Sequence, residues 1–595
     1  MRISSVRVVN FRNFQDLKIE LHDHAVIVGP NKVGKSNLLH ALRLVLDPSL
    51  PDTARQLRPE DFWDGLPRPL GPDDAISIAV QLTGFDDNDS QLALLADCLV
   101  EVEPFVARLT YVFRPTDAFG QGDVTEADYE FFVYGGERVD NRVSYEVRRR
   151  LPLSVLPALR DTEADLANWR RSPLRPLLEG AVRQLSRADL QEVQDRISSA
   201  TDLFLGAAGI SDVATGLSDE ITRIAGSERG AEAGLGLATK DPARLIRELR
   251  VLIDHGVRGV EDASLGTSNI IYFALKLLEV AEDARQDNRD HTFLAIEEPE
   301  AHLHPHMQRL VYRRVLRPRR ASSGDTPAPL AQTTLLLTSH SPHVASVAPL
   351  RSMVVLKTTG SREASVGSSA AKVDLSEREI DDVERYLDVT RGEMLFAKAV
   401  ILAEGESEGY VLPALARLLD IDFDNLGITV CAIAGTHFEA YLKLLSPHVL
   451  NIPAIVLTDM DPTPGGARAE ARVRRLLGVV DPSTDYSEAR DWRGAGVAHD
   501  IFVNEWTLEV DLFRSGQHAA ICEALIDLGG AAASERAKTW AEEPAAVSIK
   551  DLLADISSIG KGRFAQRLAG RLTGPAMPIS IENAIRHAVA KAHSL

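Results

Sequence analysis

Cysteine is nearly absent: Cys98, Cys431 and Cys522 are the only three in 595 residues. No two of them form a C-x-x-C pair, which excludes a disulfide framework and a thiolate zinc site. No run of about 18 apolar residues occurs, so no membrane-spanning helix is expected. Arg7 and Asn10 interrupt any apolar stretch near the start, so no signal peptide is expected either, and the compartment that fits is a reducing cytoplasm. Basic side chains are also short, 66 against 86 acidic ones, for a net charge of −20. Such a balance argues against a generally nucleic-acid-binding surface but leaves room for local basic patches and for bound metal ions. Internal repeats and coiled-coil heptads are missing as well. What remains is a globular composition, 45% hydrophobic, in a chain long enough for two to four domains.

The strongest positive signal is Val26-Ile-Val-Gly-Pro-Asn-Lys-Val-Gly-Lys-Ser-Asn37, which holds G-x-x-x-x-G-K-S from Gly29 to Ser36. An apolar run, Ala25 to Val28, precedes it. A helical pattern with Leu38, Leu42 and Val45 on one face follows. Strand, glycine loop and helix form the context of a phosphate-binding loop. Gly29 and Gly34 let backbone N–H groups turn towards phosphate oxygens, and the helix N-terminus adds positive potential. Lys35 would reach the β- and γ-phosphates of ATP, and the Ser36 hydroxyl would hold one Mg2+. Gly29, Asn31, Gly34, Lys35, Ser36 and Asn37 are therefore the candidate nucleotide contacts. The plain alternative is a glycine turn beside an exposed lysine.

Residues 1–24 read as two strands. Ile76–Leu82, Phe105–Phe113 and Tyr129–Tyr134 extend a mixed sheet. From Leu177 to Ile224 apolar residues recur at helical spacing, with Ser186 and Asp189 placed to cap a helix. This stretch reads either as a dimerising helical insertion or as a layer covering the sheet. The strand His291–Glu298 ends in two carboxylates. Glu297 suits Mg2+ coordination through water, and Glu298 suits polarising the attacking water. A second buried strand, Leu335–Leu337, runs into Thr338-Ser-His340, where His340 would sense the γ-phosphate. Residues 317–332 read as a surface loop, and 357–372 as a mobile hairpin or linker.

A new α/β unit begins near Lys398. Its strand Ala399–Ala403 runs into Glu404-Gly405, with Glu408 four residues on. Ala454–Thr458 runs into Asp459-Met-Asp461, where residues i and i+2 share a face. Residues 462–496 read as a loop plus a short helix. Glu509 follows a third short strand, Ile501–Val503. Singly, each acidic residue reads as a solvated side chain or a turn. Together, four or five carboxylates converging at strand ends would repel one another unless cations sat between them. Oxygen-only ligands suit Mg2+ or Mn2+. Two such ions about 4 Å apart can stabilise the attacking and leaving oxygens of phosphodiester cleavage. Lys561, in the helical remainder, could neutralise developing charge.

These residues carry a resemblance. Met1–Leu46, the Glu-Glu-Pro-Glu-Ala-His-Leu-His stretch of 297–304 and the Thr-Ser-His-Ser-Pro of 338–342 resemble the ABC-type ATPases of DNA repair and phage defence. That class sandwiches ATP between two protomers, one supplying a signature loop. Its counterpart here is Ala263-Ser-Leu-Gly-Thr-Ser-Asn269, with Ser264 and Gly266 as candidate contacts. The loop lacks the usual Ser-Gly-Gly-Gln, which argues against fast hydrolysis and for ATP acting mainly as a gate. It reads equally well as a helix N-cap at Ser268. Glu297 stands where an Asp is more usual.

Glu404-Gly405-x-x-Glu408, Gly435-Thr-His-Phe438 and Asp459-x-Asp461 resemble a Toprim domain. Their coupling to the ATPase, with Thr507-Leu-Glu509 and Lys561-Gly-Arg-Phe-Ala565, resembles the overcoming-lysogenization-defect (OLD) nucleases, which include the nuclease subunit of Gabija antiphage systems. Gly435-Thr436 stands where many relatives have Gly-Gly. The resemblance implies an α/β architecture. An ABC/RecF-like ATPase with a mixed sheet (1–155 and 246–390) carries an inserted helical dimerisation region (156–245). A Toprim domain with a parallel sheet and a helical end follows (391–595). It assigns metal ligation to Glu404, Glu408, Asp459, Asp461 and Glu509, and transition-state support to Lys561. It implies a metal-dependent DNA endonuclease, homodimeric or homotetrameric, with a helicase as a possible partner. The alternatives are a RecF-like repair ATPase that binds DNA without cutting, a primase or topoisomerase, and a small-molecule ATPase or transporter motor. No marked tyrosine or zinc segment supports the second alternative, and the third leaves the C-terminal third unexplained. Candidate phosphate contacts are Arg148–Arg150, Arg313 and Arg314, Arg317, Arg319 and Arg320, and above all Arg563, Arg567 and Arg571, next to Lys561.

Overall fold

The computed structural model describes residues 1–116, 126–157, 162–170, 172–225, 246–285, 289–301, 303–316, 332–359, 364–460 and 467–594. Two compact units are present: Met1–Ala158 with His291–Ser323 and Thr333–Leu595, and Leu159–Asp290 with Gly324–Gln332.

The larger unit contains three sheets. The β-like runs of the N-terminal region do not join one mixed sheet. Arg2–Phe11, Phe14–Glu20, Ile76–Thr83, Leu99–Val102, Phe105–Pro115 and Tyr129–Gly135 pair antiparallel in a sheet of their own. The second sheet has the order Ala364–Ser369, Met353–Thr359, Ala25–Val28, Thr333–Ser339, Thr292–Glu297, Leu153–Leu156, and is parallel except at the first pair. Ala25–Val28 and Thr333–Ser339 are buried at every position, as strands covered on both faces must be. The helix Lys35–Leu46 packs against the antiparallel sheet. Its Leu38, Leu42 and Val45 enter one core with Val6, Val8, Ile78 and Tyr111. The described residues of the segment read as a mobile hairpin or linker belong to an antiparallel pair, Val354 opposite Ser369 to Thr359 opposite Ala364, whose strands continue this buried sheet.

The third sheet is wholly parallel, in the order Ile428–Ala432, Ala399–Ala403, Ala454–Thr458, Ile501–Val503. Ala399, Ile401, Ile455 and Leu457 join one core with the helices Glu406–Arg417, Lys561–Ala569 and Ile579–His593. Val400, Leu402 and Val456, on the alternate face, are buried as well. The short helix expected in 462–496 is a 14-residue one, Ala467–Val480, followed by a seven-residue one, Trp492–Ala498.

The smaller unit is mainly helical, with Leu174–Gln184, Arg187–Leu205, Ala208–Ala225 and Leu265–Arg285. Ser186 and Asp189 form the expected capping box. The cap before Leu265 is Ser264, whose Oγ accepts from the Thr267 N–H, not Ser268, which is buried inside the helix. Among the described residues no helix is long and apolar enough to cross a membrane.

Candidate functional site

Two sites are built at the carboxyl edges of the two parallel sheets, where open α/β folds bind their ligands. In the first, the chain leaves Val28 into the glycine loop. Gly34 adopts a left-handed φ of 96°, and a Cβ there would collide with the Asn13 side chain. No side chain caps the helix that starts at Lys35, so its first N–H groups are free for an anion. Ser36 and Asn31 are exposed beside it. Asn37 faces the first hairpin: its Oδ1 accepts from Arg12 and its Nδ2 donates to Asn13. Lys35 folds back over the loop, its Nζ donating to the carbonyls of Gly29 at 2.9 Å and Pro30 at 3.0 Å. Burial pulls its pKa down to about 8, opposed by the carboxylates of Glu298 and Glu300.

Glu297 ends the strand two places away, and His340 ends the adjacent one. Lys35 Nζ lies 3.2 Å from His340 Nδ1. An ammonium can only donate, so Nδ1 is the acceptor and Nε2 carries the proton. That Nε2 sits 3.4 Å from Glu298 Oε1, and Glu298 has a left-handed φ of 41°. Glu300, absent from the expectations, anchors this corner. Its Oε1 accepts from Ser339 Oγ at 2.9 Å and from the His340 N–H at 2.7 Å. Ser264 and Gly266 lie in the other unit, at the start of its helix Leu265–Arg285.

In the second site, a pocket of about 380 Å³ is lined by Glu404, Glu408, Asp459, Glu509 and Lys561, together with Glu406 and Gly435. Each side chain arrives from a strand end or the helix after it. Glu404 and Glu408 flank the turn from Ala399–Ala403 into its helix, Asp459 follows Ala454–Thr458, and Glu509 stands in the helix after Ile501–Val503. Lys561 opens the helix Lys561–Ala569 and places Nζ 3.8 Å from Glu509 Oε1. Asp461 lies outside the described residues.

The electrostatics are those of a site short of positive charge. Burial, reinforced by Glu509 and Glu404, pushes the Glu408 carboxyl up to about 7. Burial, with the carboxylates of Glu408, Glu404 and Glu509, raises Asp459 well above the usual range, against the hydrogen bond from Asn504. Glu509 Oε2 and Thr507 Oγ1 are buried without a hydrogen-bond partner. A divalent cation answers each of these features: oxygen-only donors, acids held neutral for want of counter-charge, and an orphaned carboxylate oxygen. Among the described residues no three acidic, His or Cys side chains form a ligand cluster as they stand.

A family model described as "AAA domain, putative AbiEii toxin, Type IV TA system" matches residues 25–346. Another, "Overcoming lysogenization defect protein-like, TOPRIM domain", matches 395–461. The C-terminal region of the Burkholderia pseudomallei OLD protein is 38% identical, over 33% of this chain and 99% of that one, with a TM-score of 0.32. The chain belongs to the OLD family. The OLD nuclease of Thermus scotoductus is 26% identical over 534 residues, 86% of this chain and 91% of the relative. The endonuclease GajA of Bacillus cereus is 21% identical over 475 residues, 78% and 75%.

In this OLD-family chain the sequence reading missed the groups that hold the carboxylates. Arg472, buried in the helix Ala467–Val480, donates through Nη1 to Glu404 Oε1 at 2.6 Å, to Thr458 Oγ1, and to the Asp459 carbonyl at 3.1 Å. Asn504, fully buried, donates to Asp459 Oδ1 at 2.8 Å and accepts from Ser580 Oγ at 2.7 Å. Asp511 takes the N–H groups of Glu505 and Trp506, fixing the turn that leads to Glu509. Helical spacing places Arg472 on the same face as the buried Ala469, Val473 and Leu476, an arginine in an apolar stripe that could have been noticed.

The arginine candidates fare unevenly. Arg567 and Arg571 are paired with Asp527, and Arg571 also faces Glu523. Arg563 is exposed. Arg148 is drawn inward, its Nε buried without a partner. Arg313 is exposed. The side chain of Arg314, and all of Arg317, Arg319 and Arg320, lie outside the described residues.

Proposed function

We propose that this chain is an ATP-binding, metal-dependent DNA endonuclease of phage defence or DNA processing. The observation that supports it most is one pocket that gathers Glu404, Glu408, Asp459 and Glu509 from three strand ends, with Lys561 from the start of a helix. Glu404, Glu408, Asp459 and Glu509, with Asp461, would hold one or two Mg2+ or Mn2+ ions. Bound there, such ions supply a nucleophilic water and Lewis-acid stabilisation of phosphodiester oxygens. The chain's own groups do the rest. Asn504 and Arg472 fix the ligand oxygens of Asp459 and Glu404. Lys561 places a positive charge at the pocket mouth, where a leaving oxygen can be met. The nucleotide loop, Glu297, Glu298 and His340 would take Mg-ATP. Lys35 would then leave the Gly29 and Pro30 carbonyls for the phosphates, and so release its contact with His340. Ser264 and Gly266 of a second copy would close that site, in keeping with a homodimer or homotetramer joined through the 156–245 region and working beside a helicase.

Plasmid digestion with Mg2+ or Mn2+ tests the reading. Asp459→Ala should abolish cutting and leave ATP binding intact. Lys35→Ala should change the nucleotide response and leave metal binding intact. Cutting by the Asp459 variant would refute the site. The rival, a RecF-like ATPase that binds DNA without cutting, would have no use for the orphaned Glu509 oxygen and the neutral-leaning acids around it.

A further inference from the structure

Two arginines beside the carboxylate pocket stand without an acidic partner in a chain of net charge −20. Among the described residues neither Arg493 nor Arg514 lies within 4 Å of a carboxylate oxygen, whereas Arg567 and Arg571 do. Each is held instead by an indole. The Arg493 guanidinium lies 5.3 Å from the Trp492 ring centre, and that of Arg514 lies 5.2 Å from the Trp506 ring centre. Both pairs border Met460, the residue after Asp459. Arg493 Nη2 is 3.8 Å from Met460 Sδ, and the Met460 N–H donates to the Trp506 carbonyl at 2.9 Å. Arg514 follows Glu509 on the same helical stretch, and Trp506 precedes it. The stretch that presents Glu509 thus also carries Arg514, while Arg493 reaches the residue after Asp459 from the helix Trp492–Ala498.

We infer that Arg493 and Arg514 form a phosphate clamp that seats the DNA backbone across the carboxylate pocket, an inference resting on the nuclease reading above. An aromatic face restrains a guanidinium without using its N–H donors. The fork stays available for bidentate contact with a phosphate, and less side-chain entropy is lost when contact is made. An acidic pocket repels polyanionic DNA, so a cation held at its edge is what brings a scissile phosphate to it. Asp511, the acid nearest to Arg514 in the chain, accepts the Glu505 and Trp506 N–H groups and attracts Arg514 only from beyond salt-bridge distance, so it leaves the guanidinium donors unused.

The test is anisotropy of a fluorescein-labelled linear duplex in metal-free buffer over a series of salt concentrations, with full-length protein. Arg493→Gln with Arg514→Gln should weaken binding on the order of tenfold and lower the slope of log K against log salt by about 2, one for each lost phosphate contact. Lysine at both positions should restore part of each. Arg567→Gln with Arg571→Gln, whose charges are already spent on Asp527, should change binding less than twofold. Mn2+ binding by calorimetry should be unchanged in all variants, which separates a lost clamp from a damaged pocket. Wild-type affinity and salt slope in the Arg493/Arg514 variant would overturn the clamp and leave the nuclease reading standing. A wild-type protein that binds no DNA would overturn both.

Discussion

Glu408→Gln should make the metal-free protein more stable while removing its response to metal. A carboxyl raised from 4.5 to about 7 costs about 3 kcal/mol once ionised, at about 1.4 kcal/mol per pH unit. Between those two values the unfolded chain has released the proton and the folded chain still holds it. Stability therefore falls as pH rises from about 4.5, and the full cost is present above about 7. Glutamine cannot ionise and so escapes it. Glu408 belongs to the larger unit, Met1–Ala158 with His291–Ser323 and Thr333–Leu595, for which 3 kcal/mol corresponds to about 3 °C in Tm. The assay is thermal unfolding of wild type and variant at pH 5 and pH 8, with a chelator and then with Mn2+. At pH 5 the two should differ little. At pH 8 without metal the variant should melt higher, and Mn2+ should raise the wild type and not the variant. A variant that melts at or below wild type at pH 8, or that gains as much from Mn2+, would refute the claim that this acid is held in the site for a cation.

Arg472→Met should destabilise the protein by about 2 kcal/mol, because it leaves a partly buried Glu404 oxygen with only the Thr458 hydroxyl and the Asp459 N–H; chemical unfolding reads this, and a loss under about 0.5 kcal/mol would show the pair to be dispensable. Lys35 poised at about 8 must be protonated to meet phosphate, so ATP affinity should fall as pH rises above about 8, approaching tenfold per unit, while Lys35→Arg should flatten that slope. Nucleotide affinity measured from pH 7 to 9.5 decides it, and a flat wild-type profile would contradict the buried setting of this lysine.

The two sites were legible in the sequence because both exploit strand ends. A parallel strand covered on both faces must be apolar along its length, so a carboxylate directly after such a run is forced to the sheet's edge. Glu297, Glu404 and Asp459 each follow a run of this kind, and the register of the sheets aligns their ends. The antiparallel sheet was harder to separate, since alternation in Ile76–Thr83 or Phe105–Pro115 says that one face is buried but not against what. The helix Lys35–Leu46 turned out to be what it covers.

The supporting groups were illegible for a different reason. Arg472 and Asn504 act through partners 68 and 45 residues away, and local periodicity carries no information about such pairs. Their role follows from the cost of what they serve. The carboxylates gathered in one pocket repel one another and would rotate towards solvent unless held. Arg472 compensates Glu404, Asn504 holds Asp459, and Lys561 approaches Glu509, while at Glu408 burial and the neighbouring acids outweigh the pull of Lys561. The protein thus offsets the charge of its site unevenly, and the uncompensated remainder, at Glu408 and the free Glu509 oxygen, marks where a divalent ion is expected to sit.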